Sequence, residues 1–205
     1  GIDAAEYGRP DFTKKRNYFH FLGKAAWRIK NVKGAIDVAS AAGERLEVLG
    51  GSRLNLKMGF RFTPNLNVRF RGMVGGDVKN SYLRVSKGLI FPVRWHEPFG
   101  IALIESLYFG CPVFGTPYGS LPEIVTESMG VLSSSVQELA VAIKNVDAFD
   151  RRVCYEYVCD RFLIGSMAKG YLEMYERVLN GEQLNVGRPF LLAVEEDRFL
   201  PWYYD

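Results

Sequence analysis

EPFGIALIESLYFGCPVFGTPYGSLPE, from Glu97 to Glu123, joins a chain break, an apolar helix, an apolar strand and a second helix start without a wasted residue. Pro98-Phe99-Gly100 forms the break, and the pattern predicts a helix over Gly100–Phe109. Val113–Gly115 then reads as a buried strand, and Ser120-Leu121-Pro122-Glu123 as a helix start. Helices alternating with short apolar runs point to an α/β fold with a parallel sheet.

The same alternation continues outward. Strands are expected at Tyr18–Leu22, Leu46–Leu49, Val68–Arg71, Leu89–Val93 and Val131–Leu132. Helices are expected at Val32–Ala42, Val78–Lys87, Pro122–Glu127 and Val136–Val146, with Asp77 and Ser135 as N-caps. Asp147 to Leu179 reads as helical throughout and stops at Asn180-Gly181. The expected architecture is a Rossmann-like parallel sheet of about six strands flanked by helices. Residues 1–181 would form that domain and 182–205 a C-terminal tail. The tail is aromatic but has no sustained period, so it reads as a segment packed on its own domain or one that meets a partner.

With 48% hydrophobic and 24% charged residues, the chain is globular rather than disordered. Its 26 Lys and Arg nearly balance 23 Asp and Glu, leaving +3, which argues against nucleic acid as a partner. Three cysteines and two histidines have no metal-ligand spacing, and no Asp-x-Asp occurs, so neither metal nor cofactor is expected. Absence of a leader, a transmembrane run or a lipidation signal suggests a cytoplasmic location, compatible with a peripheral membrane contact.

The chemistry is expected at the break. A helix opening after Gly100 leaves the amides of Gly100, Ile101, Ala102 and Leu103 without intrahelical acceptors, an anion site aided by the helix dipole. Ligands of such sheets sit beyond the carboxyl ends of the strands, where this loop must lie. Glu105, on a helix apolar on nearly every side, needs a partner. Ribose hydroxyls or a structural ion pair would each serve. Glu97, on the loop, could reach a sugar on the second phosphate or be an ordinary solvated acid. Glu123 fits a helix-start acid.

Two glutamates with seven residues between them, then Gly110-Cys-Pro-Val113 and Tyr118-Gly-Ser-Leu-Pro-Glu123, resemble the donor-binding domain of GT-B glycosyltransferases. The resemblance is greatest to the large retaining family that includes glycogen synthases, mannosyltransferases and sucrose synthases. Ser120 stands where that family has a glycine. Upstream, Phe21-Leu22-Gly23-Lys24 with Lys30-Asn31 or Lys33-Gly34 resembles the family's Gly-Arg and Lys-Gly pair. This implies that Lys24 and Lys30, the latter preferred over Lys33 for its spacing, hold the donor's phosphates and stabilise the departing diphosphate. Lys24 lacks the bidentate fork of the usual arginine. Gly50-Gly51-Ser52 and Arg71-Gly72-Met73-Val74 fall where the family surrounds the base, although plain turns explain both as well.

The resemblance implies a nucleoside-diphosphate sugar as donor, with Gly23, Phe99 and the Gly100 to Leu103 amides binding it. Glu105 would take the ribose, and Glu97 would take the sugar or act as nucleophile. The first ten residues resemble the family's connector from an N-terminal acceptor domain, so a further domain or a partner chain is expected, and this chain alone should be inactive or weakly active. The acceptor is not legible. A non-catalytic sugar-nucleotide module, or an epimerase or phosphorylase on the same fold, remains open.

Overall fold

A computed structural model describes residues 1–55, 61–188, 190 and 197–204 of the chain. Its strands are β1 (Tyr18–Leu22), β2 (Leu46–Leu49), β3 (Leu54–Asn55), β4 (Arg61–Phe62), β5 (Val68–Phe70), β6 (Ser86–Phe91), β7 (Val113–Gly115) and β8 (Gly130–Leu132). Its helices are α1 (Ala4–Tyr7), α2 (Val32–Ala42), α3 (Gly76–Arg84), α4 (Ile101–Tyr108), α5 (Leu121–Ile124), α6 (Val136–Lys144), α7 (Arg151–Arg161) and α8 (Ile164–Leu179).

Six strands form one parallel sheet in the order β5-β2-β1-β6-β7-β8. This is the expected Rossmann-like sheet, of the kind that makes one half of a GT-B fold. The order reverses between β1 and β6, so the loops leaving those two strands diverge and open a crevice at their carboxyl ends.

Successive strand residues face opposite sides of the sheet. Phe19, Phe21, Ile90 and Phe114 pack with Val32, Ala35 and Val38 of α2 and Leu139 and Ile143 of α6. Leu89, Phe91 and Val113 pack on the other face with Leu83 of α3, Leu103, Ile104 and Leu107 of α4, and Cys154 and Val158 of α7. By contrast, α8 buries none of its residues.

Several boundaries differ from expectation. Helix α3 ends at Arg84 rather than Lys87, and Ser86 and Lys87 already belong to β6. No glycine or proline separates the two, so periodicity alone could not divide them. The N-cap of α3 is Gly75, with Asp77 inside the first turn. Strand β6 stops at Phe91, where Pro92 removes a ladder donor and the Val93 amide turns back to the Phe91 carbonyl at 3.0 Å. The antiparallel pair β3 and β4 was not foreseen. The helical run after Asp147 is broken at Phe162 and Leu163, where Leu163 bridges Ile2. Ser135 caps α6 by accepting from the Glu138 amide, as its sequence suggests.

Residues near the C-terminus return to the sheet. Leu200 and Trp202 are buried, Trp202 within the core on the α2 side. The Tyr203 carbonyl receives the Val136 amide, and the Tyr203 amide donates to Ser134.

Candidate functional site

Beneath the crevice, His20 of β1 is fully buried, with Nδ1 2.7 Å from Ser86 Oγ and Nε2 2.9 Å from Ser106 Oγ. Burial, then the Arg16 charge, pushes its pKa down to about 3, so it is a neutral link between β1, β6 and α4.

The crevice itself is a cleft of about 500 Å³. Gly23, Lys24, Trp27 and Lys30 line it from the β1 side, and Trp95, Glu97, Phe99, Gly100, Ile101 and Ala102 from the β6 side. Met73, Val74 and Gly50 close the edge towards β2 and β5. Eight of the ten sequence-predicted site residues therefore meet in one place, whereas Leu103 and Glu105 are not among the lining residues.

Gly100 explains the break. Its φ of +79° is left-handed, and a Cβ there would meet Leu103 Cδ1 at 2.9 Å and Glu97 Cγ at 3.3 Å. The position requires glycine for its own packing, in addition to any approach by a ligand. No side chain caps α4. The Leu103 amide, expected to be open, is closed on the Gly100 carbonyl at 2.8 Å, which leaves Ile101 and Ala102 as the first-turn residues that face the cleft. The turn bearing Gly119 and Ser120 braces this loop. Ser120 N–H donates to the Glu97 carbonyl at 2.9 Å and Ser120 Oγ to the Phe99 carbonyl at 2.8 Å. A Cβ on Gly119 would fall 2.3 Å from Glu97 backbone atoms, so that turn packs directly on the acid's main chain.

Glu97 is held at its side chain as well. Lys30 Nζ lies 2.5 Å from Oε2, and the Trp95 indole N–H donates to the same oxygen at 2.9 Å. The ammonium also sits over the Trp95 ring, 4.8 Å from its centroid. Trp95 was missed in the sequence, although an indole two residues before a semi-buried acid is a signal in retrospect, because a buried N–H seeks an acceptor. Lys24 sits over Trp27 at 4.7 Å. Lys33 instead pairs with Asp37 at 2.8 Å and is absent from the cleft lining.

Glu105 has the same kind of company elsewhere. Lys79 of α3 lies 2.5 Å from Oε1, Tyr7 of α1 donates its hydroxyl to that oxygen, and the ammonium sits 4.9 Å from the Tyr7 centroid. Burial and the Glu105 carboxylate raise the Tyr7 pKa well above the usual phenol range, so it remains a donor. Neither Tyr7 nor Lys79 carries any sequence signal linking it to Glu105. Among the described residues, no three His, Cys, Asp or Glu side chains gather as a metal site, and no helix is long and apolar enough to cross a membrane.

Residues 16–149 match the sequence profile of the glycosyl transferases group 1 family. The chain belongs to that family. It is 22% identical over 172 residues to an uncharacterized 41.2 kDa protein in the cps region of Klebsiella pneumoniae, covering 80% of this chain and 44% of that one. Among solved structures, AviGT4, a glycosyltransferase involved in avilamycin A biosynthesis, superposes with a TM-score of 0.73 at 23% identity, over 88% of this chain and 57% of that one. Anabaena HepE, solved in complex with UDP-glucose, gives 0.67 at 16% identity, over 86% and 56%. These likenesses establish the fold. The chain thus spans about half the length of these relatives.

Proposed function

We propose that the cleft binds a nucleoside-diphosphate sugar and presents it for retaining glycosyl transfer to an acceptor held by an N-terminal domain or a partner chain. The observation that carries this reading is the meeting of Lys30, Glu97 and the uncapped start of α4 at the sheet's switch point. Group 1 membership and the likeness to a structure with bound UDP-glucose support it.

In this reading the diphosphate rests against the amides at Ile101 and Ala102, with Lys24 and Lys30 as its cations. Charge that develops on the leaving diphosphate is stabilised by groups already in place, without a metal. An ammonium has three N–H donors, so Lys30 can keep Glu97 and still donate to a phosphate oxygen. Both known contacts of Glu97 fall on Oε2, which makes Oε1 the atom to accept from sugar hydroxyls. Glu105 likewise uses Oε1 for Lys79 and Tyr7, and its Oε2 would take a ribose hydroxyl. Gly23 and Phe99 frame the sugar end. The working location is the cytoplasm.

Calorimetric titration with UDP and UDP-glucose, and with the guanosine and adenosine equivalents, tests this. Glu105→Gln should weaken nucleotide and full donor alike by about 1–3 kcal/mol, the scale for a hydrogen bond to a charged group. Glu97→Gln should spare the nucleotide and erase the preference for the sugar-bearing form. Equal losses in both variants, or no nucleotide binding by the parent chain, would overturn the assignment.

A further inference from the structure

Three guanidinium groups surround one phenyl ring beside the cleft. The central carbons of Arg28, Arg94 and Arg198 lie 5.0, 5.4 and 5.5 Å from the Phe199 centroid. A ring plane has only two sides, so at least two of these like charges share a side. Cation–π contact draws each guanidinium to the ring but leaves three positive charges gathered in one place. None of the described carboxylates forms an ion pair with any of the three.

The cluster stands on a backbone scaffold. The Arg94 amide donates to the Ile29 carbonyl at 2.8 Å, and the Leu200 amide to the Arg94 carbonyl at 3.0 Å. Arg94 Nε donates to the Leu200 carbonyl at 2.7 Å, which fixes the direction of its fork. Three segments distant in sequence are thereby locked together. Two of them adjoin the cleft, because Trp27 and Lys30 flank Arg28 and Trp95 follows Arg94.

We infer that Arg28, Arg94 and Arg198 form an anion subsite for a phosphomonoester, placed where it would meet a molecule approaching the cleft from the tail side. A planar fork suits phosphate oxygens two at a time, and a dianion would relieve the repulsion among the three charges. Its place in catalysis, as a hold on a phosphorylated acceptor, rests on the donor reading above; the binding itself does not.

Titration of the 205-residue chain with inorganic phosphate and glucose 6-phosphate, and flotation with phosphatidic acid vesicles, tests the subsite. UDP is titrated in parallel to report on the cleft. Saturable phosphate binding should weaken with rising salt, fall at least fivefold in Arg28→Gln and in Arg198→Gln, and vanish in the double variant. UDP binding should stay unchanged in all of these. Both side chains are exposed, so the fold should tolerate these changes, which circular dichroism checks. Glucose 6-phosphate binding identifies a soluble ligand, and vesicle binding lost in the double variant identifies a lipid headgroup; each supports the subsite.

Phosphate binding unaltered in the double variant, or absent while UDP still binds, overturns the subsite and leaves the donor reading intact. Absence of UDP binding with phosphate binding retained does the reverse. The remaining candidate counter-ions, Glu195 and Glu196, lie outside the described residues. Phosphate binding that emerges only in Glu195→Gln/Glu196→Gln would show that the chain neutralises its own arginines and would also overturn the proposal.

Discussion

Glu97 and Glu105 live in matched surroundings on opposite sides of one helix start. Each gives a single oxygen to a lysine and to an aromatic donor, and each lysine rests over the ring of that same aromatic. Side-chain exposure is also alike, 13% and 9% for Lys30 and Glu97 against 15% and 9% for Lys79 and Glu105. The difference is one of position. The first trio lines the cleft, while Glu105, Lys79 and Tyr7 are absent from its walls. The first is assembled from neighbouring loops, with Trp95 two residues from Glu97. The second needs α1, α3 and α4 to converge. Equal burial therefore does not mean equal placement: Lys30 and Glu97 stand in the cleft wall itself, whereas the Glu105 trio, set behind it, also ties α1, α3 and α4 together.

The largest effect expected is on stability. Glu97→Ala and Glu105→Ala should each cost about 3–5 kcal/mol in denaturant unfolding, because each strands a semi-buried lysine. A gap of more than about 2 kcal/mol between them would break the parallel. Next, Trp95→Phe and Tyr7→Phe keep the ring beneath the ammonium and remove only the donor to the carboxylate. Each should cost about 1.5–3 kcal/mol, with Trp95→Phe changing the preference for the sugar-bearing donor more than Tyr7→Phe in calorimetry.

A pH series sharpens the Glu105 side, since His20 bonds Ser106 next to it. The folded pKa is about 3, below the ordinary 6.5, so between these values the unfolded chain binds a proton that the folded chain refuses. Stability should thus fall as pH drops from 6.5 towards 3, by up to about 1.4 kcal/mol per unit from this site. His20→Gln should flatten that slope in denaturation measured across the window, and an unchanged slope would remove His20 as its source. The smallest effect belongs to Lys33, 68% exposed and paired four residues along α2. Lys33→Ala should change stability by less than about 0.5 kcal/mol and UDP affinity not at all, in contrast to Lys30→Ala.

The fold was largely legible because local pattern and global architecture agree. Tyr18–Leu22, Leu46–Leu49, Val113–Gly115 and Val32–Ala42 occupy the residues that their apolar spacing marks. Legibility failed where no punctuation marks a change, as between Arg84 and Ser86, and where a pair is short and exposed, as in β3 and β4. At the candidate site, the Gly100 break was visible because glycine and proline announce a loop, and Glu105 because an acid beside apolar residues demands a partner. Glu97 and Lys30 were singled out by the spacing of the motifs that resemble the family. Trp95 was concealed by its ordinary role as a core aromatic.

The sequence by itself determined the main strands and helices and the loop that breaks at Gly100. These follow from periods of two and 3.6 residues and from the torsional limits of glycine and proline, all of which act within a few residues. Lys24, Lys30 and Gly23 were legible only through the family resemblance. Only the tertiary structure decided who neutralises Glu105 and why Leu103 offers no open amide. It also brought three arginines to Phe199. Those outcomes depend on charges and donors meeting across tens of residues, and no local rule encodes such meetings.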